Sequence, residues 1–194
     1  VLKDFEDYIS SSQSPKYRYT YYDDYRSRYD YSDDELPTYL YPSTNRVNLR
    51  LQIVEPTPMV YQASVAFLPG GTVQRGARDA EVLGNVVIVS GSLDPLPATD
   101  FTFTTDGTTD LADIRNAKLW YSGGKSTFDP ATATQFGSTI ASPNGDMTFS
   151  GKLTLAPGAN FFWLTYDVNS DATLLNLIDG QFTSLTIDGT TYTP

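Results

Sequence analysis

The chain has 194 residues, a formal net charge of −10, and no cysteine or histidine. That length suits one ordinary domain with an extension, and the acidity disfavours nucleic acid and anionic lipid as partners. Without Cys or His, disulfides, thiolate nucleophiles, cysteine lipidation, zinc sites and imidazole acid–base catalysis are excluded.

A chain that starts at Val1 is expected to be a processed product or a fragment. Its first segment, "VLKDFEDYISSS", puts Leu2, Phe5 and Ile9 on one helical face. That predicts a short amphipathic helix or hook, marginal alone and stable only when docked. Next comes "KYRYTYYDDYRSRYDYSDDELPTYLY" (16–41), in which Tyr17, Tyr19, Tyr21, Tyr25, Tyr29 and Tyr31 all occupy odd positions. Odd positions share one face of an extended strand, leaving Lys16, Arg18, Asp24, Arg26 and Arg28 on the other. A helix would align Tyr17, Tyr21, Tyr25 and Tyr29 but omit Tyr19 and Tyr31, so the extended reading is preferred. Fully extended, residues 17–31 would span ~50 Å, against about 17–20 Å for a typical strand. The ribbon must bend around its own domain or continue onto a neighbour. Composition changes at 42–45, giving an expected arm at 1–45 and a domain at 46–194.

The domain reads as β throughout. Strands are expected at "VNLRLQIV" (47–54), "MVYQASVAF" (59–67), "EVLGNVVIVS" (81–90), "DFTFTT" (100–105), "AKLWYS" (117–122), "DMTFSGKLTLA" (146–156), "NFFWLTYDV" (160–168) and "FTSLTI" (182–187). Glycine-containing turns separate most of them. Helical turns are expected only at 108–116 and 172–180. This pattern predicts an all-β, antiparallel sandwich, jelly-roll or Ig-like, with an extended Tyr-rich N-terminal arm. Expected inward residues are Leu49, Leu51, Val86, Ile88, Phe101, Phe103, Leu119, Phe149, Leu153, Phe161, Trp163, Leu185 and Ile187.

Three stretches carry a resemblance: "GNVVIVSGSLDPLPATDFTFTTDGTTDLADIRNAKLWYSGGKSTF", "TQFGSTIASPNG" and "LAPGANFFWLTYDVNSDATLLNLIDGQFTSLTIDG". In that order, over residues from about 74 to 194, the chain resembles the N-terminal accessory domain of BNR-repeat sialidases. Similar domains occur in large bacterial cell-surface proteins. The resemblance implies a secreted, non-catalytic β-sandwich for which carbohydrate binding is presumed. It supplies no binding motif residue by residue, and it leaves residues 1–45 unmatched.

The remaining constellations have plain alternatives. "SPNGDMTF" (142–149) echoes a propeller Asp-box, but Asn144 and Asp146 depart from it, and a hairpin turned at Asn144-Gly145 is expected. Asp167, Asn169, Asp171 and Asp179 are a weak candidate calcium loop. The EF-hand glycine and glutamate are replaced by Ala172 and Ile178, so a solvated loop is expected and no cofactor is assigned. Asp23-Asp24, Asp33-Asp34-Glu35, Asp110 and Asp113 do not mark an acid–base pair, and no enzyme is expected. In "KLWY", Leu119 and Tyr121 share one strand face and Trp120 the other, so one of Trp120 and Tyr121 is a candidate sugar platform.

The main expectation is a non-catalytic, extracellular structural protein of a bacterial surface. Its subunits would join as a homo-oligomer or polymer through Leu2, Phe5, Ile9 and the odd tyrosines, with docking in cis left open. The alternative is a carbohydrate-binding accessory module with a glycan ligand. No apolar run approaches the ~18 residues of a membrane-spanning helix.

Overall fold

The computed structural model describes residues 55–194. The expected hook, the tyrosine ribbon, the 47–54 strand with Leu49 and Leu51, and the boundary after residue 45 lie outside the described residues.

Among the described residues nine strands follow in chain order: β1 (Val60–Phe67), β2 (Ala80–Ser90), β3 (Pro97–Thr104), β4 (Ile114–Gly123), β5 (Thr134–Ile140), β6 (Met147–Thr154), β7 (Gly158–Val168), β8 (Gln181–Ile187) and β9 (Thr190–Tyr192). They form two sheets, one ordered β1-β2-β7-β4-β5 and one ordered β6-β3-β8-β9. Every pair of neighbouring strands is antiparallel. The described part is therefore the expected all-β sandwich. A single 3-10 turn, Leu111–Asp113, occupies the predicted 108–116 turn, while 172–180 holds no helix.

Two strands lack a readable sequence signal. β9 is three residues long and forms only through the Asp188-Gly189 hairpin, where both residues have positive φ (47° and 75°). β5, "TQFGSTI", has glycine in its middle at φ 70°, and a Cβ there would stand 2.7 Å from the Ser150 carbonyl oxygen of β6. The missing side chain lets β5 and β6 approach across a corner of the sandwich. The Asn144-Gly145 turn accordingly leads from one sheet to the other and not, as expected, into a hairpin within one sheet.

The core lies between the sheets. Phe101 and Phe103 of β3 and Phe149 of β6 meet Leu119 of β4 and Phe162 and Leu164 of β7 there, all buried. Phe101 and Phe162 are 4.3 Å apart between ring centroids, joining the two sheets directly. At the other edge Tyr61 of β1 stacks on Tyr192 of β9 at 4.0 Å.

Six expected inward residues (Phe101, Phe103, Leu119, Phe149, Leu185 and Ile187) are in this core, and Leu153 packs against it. Val86, Ile88, Phe161 and Trp163 are not: their neighbours Val87, Val89, Phe162 and Leu164 take the inward positions. The error has a physical source. "NVVIV" and "NFFWL" are apolar at both odd and even positions, so alternation does not choose a face. They are apolar on both faces because the outward face of the five-stranded sheet is itself apolar.

Candidate functional site

Strand pairing brings the outward residues of four strands together. Phe67 lies opposite Gly84, Gly84 opposite Trp163, and Trp163 opposite Trp120. One row thus crosses from β1 to β4. The Phe67 ring covers Gly84 so closely that an added Cβ would fall inside it. That glycine lets the ring lie down and meet Trp163 edge-on, with centroids 5.4 Å apart and planes at 89°. Phe161 flanks Phe67 at 6.4 Å. Phe128, from the β4–β5 loop, sits 6.0 Å from both Trp120 and Trp163. Beside the row, Val65 and Ile88 continue the apolar surface, 51% and 38% exposed. Trp120, Phe128, Phe67 and Phe161 are partly exposed, whereas Trp163 is covered.

Each indole is fixed in the sheet by its own N–H. Trp120 Nε1 donates to Thr165 Oγ1 at 2.9 Å, and Trp163 Nε1 donates to Ser122 Oγ at 2.9 Å. With these donors satisfied, the rings offer flat apolar surface without an unpaired polar atom.

A polar group closes one end of the row. Lys118 Nζ lies 5.8 Å from the Trp120 ring centroid. It contacts Asp79 at 2.6 Å and Asp167 at 3.6 Å. Asp167 also accepts from the Asp79 backbone N–H at 3.0 Å and from Asn116 Nδ2 at 2.9 Å. Burial opposes ionisation of Asp167, but the Asn116 amide, the Asp79 N–H, Lys118 and Arg78 outweigh it, holding the carboxyl below its ordinary value. Asp79 and Asn116 both have left-handed φ, 49° and 51°. In β4 the register shifts between Arg115 and Lys118, and this bulge aims Asn116 at Asp167.

Of the two sequence-predicted aromatics, Trp120 is on this outward face. Tyr121 faces inward: it packs 5.0 Å from Phe162, its hydroxyl donates to Asn160 Oδ1 at 2.8 Å, and burial raises its pKa. It is thus no part of a surface platform. The calcium-loop candidates do not converge. Asp167 is committed to Lys118 and Asn116, Asp179 accepts from the Gly180 N–H at the far end of the loop, Asn169 donates to the Ala112 carbonyl, and Asp171 is exposed. No group of three or more carboxylates able to hold a metal occurs among the described residues. Asp110 caps the 3-10 turn, and buried Asp113 accepts from Thr173 N–H and Asn176 Nδ2, so both carboxylates serve the loops.

The sequence profile described as the N-terminal domain of BNR-repeat neuraminidase matches residues 77–191, more than half of the chain. The chain belongs to this family. Among solved structures, the Hadza microbial sialidase Hz136 is similar at TM-score 0.55 and 15% identity, over 64% of this chain and 28% of that one. This neuraminidase N-terminal domain therefore shares that fold while spanning little more than a quarter of that sialidase. The C-terminal domain of EclA, a sugar-binding protein, aligns at TM-score 0.34 and 12% identity over 79% of this chain and 97% of that one, too distant to argue from. No curated protein matches.

Proposed function

We infer that this neuraminidase-associated domain is a carbohydrate-binding accessory module, non-catalytic, acting outside the cell or at its surface. The observation that carries this reading is the aromatic row of Phe67, Phe161, Phe128 and Trp120, ending at the Lys118–Asp79–Asp167 group. Sugars present a C–H face and a rim of hydroxyls. Flat aromatic rings match the first, and carboxylates, an ammonium and an amide match the second. Exposed apolar patches rimmed by polar groups mark ligand sites on soluble domains. A domain that accompanies a glycan-cleaving enzyme would serve it by holding the glycan. Among the described residues no helix is long and apolar enough to cross a membrane.

Assembly through residues 1–45 remains a separate proposal outside the described residues, and the family assignment favours carbohydrate binding over it. A glycan array tests the reading. The wild-type chain is expected to bind a subset of glycans, with the signal lost in Trp120→Ala and kept in Tyr121→Phe. Binding that survives Trp120→Ala would place the ligand elsewhere.

A further inference from the structure

Trp120 and Trp163 stand directly opposite one another on β4 and β7, on the same outward face. Such partners have Cβ atoms about 4.5–5.5 Å apart. One ring is partly open, yet the other is 3% exposed. Two phenylalanines pack against it. Phe67 belongs to a strand and is seated on Gly84. Phe128 belongs to the loop at 124–133 and lies 6.0 Å from the Trp163 ring at an interplanar angle of 32°.

That loop is attached lightly. Residues 124–127 and 129–132 are exposed, and Phe128 is the partly buried side chain between them. Its hydrogen bonds are local: Ser122 Oγ donates to the Lys125 carbonyl at 2.7 Å, and Asp129 Oδ1 accepts from the Ala131 N–H at 2.9 Å. The Asp129 carbonyl accepts from the Thr132 and Ala133 N–H groups at 3.0 and 2.9 Å. All of these bonds would survive if the loop swung as a unit from Ser122–Lys125. Among the described residues, the loop meets the two tryptophans through the Phe128 ring.

We propose that Phe128 is a gate over Trp163, and that the ligand is a chain of at least two pyranose rings, one stacked on Trp120 and the second on the uncovered Trp163. This assignment rests on the carbohydrate-binding reading; the gate itself does not. A single ring is served by Trp120 with the gate shut. A second ring must displace Phe128, so two-ring affinity is lowered by the fraction of molecules whose gate is shut.

The chain contains two tryptophans, both in this row, which makes fluorescence selective for it. In a Trp120→Phe chain Trp163 is the sole indole. Its acrylamide quenching constant is expected to be low and to rise several-fold when Phe128→Ala is added. Phe128→Leu should give an intermediate value, and a cooperative melt should confirm that each variant is folded. An unchanged constant, or Trp163 already fully quenched with Phe128 in place, overturns the gate. Galactose, lactose and galactotetraose are the ligand probes against chains with Trp120 intact. Lactose and galactotetraose should bind more tightly than galactose, and Phe128→Ala should raise the ratio of their affinity to that of galactose several-fold. Equal affinities for one and two rings, equal effects of Phe128→Ala on both, or no binding by any probe overturns the ligand assignment. A glycan array with no positive at all removes the carbohydrate reading instead, and the quenching result still decides the gate.

Discussion

Trp120 and Tyr121 are chain neighbours with opposite duties. Trp120 is turned outward and pinned by Thr165, while Tyr121 is turned inward and hydrogen-bonded to Asn160. Tyr121→Phe is therefore expected to lower stability by about 0.5–1.5 kcal/mol, the net worth of a hydrogen bond, without changing glycan affinity. Urea unfolding measures the first quantity and titration the second. Asn85 is fully buried on β2, and neither its Oδ1 nor its Nδ2 has a partner among the described residues. Its desolvation is uncompensated, so Asn85→Leu, of similar shape, should raise stability by about 1–3 kcal/mol in the same assay. Asp167 sets a pH dependence. Its folded pKa lies below the ordinary 3.8, so its contribution is present above that value and is lost as pH falls through the lower folded one. Acid unfolding of Asp167→Asn should show a shallower loss of stability below about pH 4 than the wild type.

At the scale of elements, the sandwich depends on glycines that let backbones or rings come close. At Gly137, with positive φ and the Ser150 backbone beside it, alanine would cost about 1–2 kcal/mol from the left-handed backbone alone, plus the clash. Gly137→Ala should lower the melting temperature, whereas Gly145→Ala, with open space around it, carries only the backbone cost. The same elements explain what could be read in the sequence. "DFTFTT" alternates cleanly and Leu119 follows Lys118 in the same manner, so Phe101, Phe103 and Leu119 were legible as core, while the choice between Trp120 and Tyr121 as the open aromatic stayed undecided in the unbroken run "LWY". β5 was illegible because its strand is made by pairing with β4, and its mid-strand glycine answers to Ser150, thirteen residues beyond Gly137 and in the other sheet. The site was legible only in part. Lys118 meets Asp79 across 39 residues of chain, and Phe128 reaches the tryptophans by a loop folding back. No local period reports either contact.

At the scale of the whole molecule, one sheet face is used for packing and the opposite face of the same sheet is left apolar. Residues 55–194 belong to one compact unit, and the whole candidate face lies within it. A chain starting at residue 55 is therefore expected to fold alone and bind glycan with undiminished affinity; circular dichroism and titration check the two statements. The central claim is that the outward face of the five-stranded sheet holds the sugar. Its most direct test is proton–nitrogen NMR of the full chain titrated with lactose, following the two tryptophan indole N–H signals. Binding on this face shifts both signals and the amides of β4 and β7 around them. If lactose binds while both indole signals stay still and the shifts gather on the four-stranded sheet, the site is elsewhere and the account is wrong.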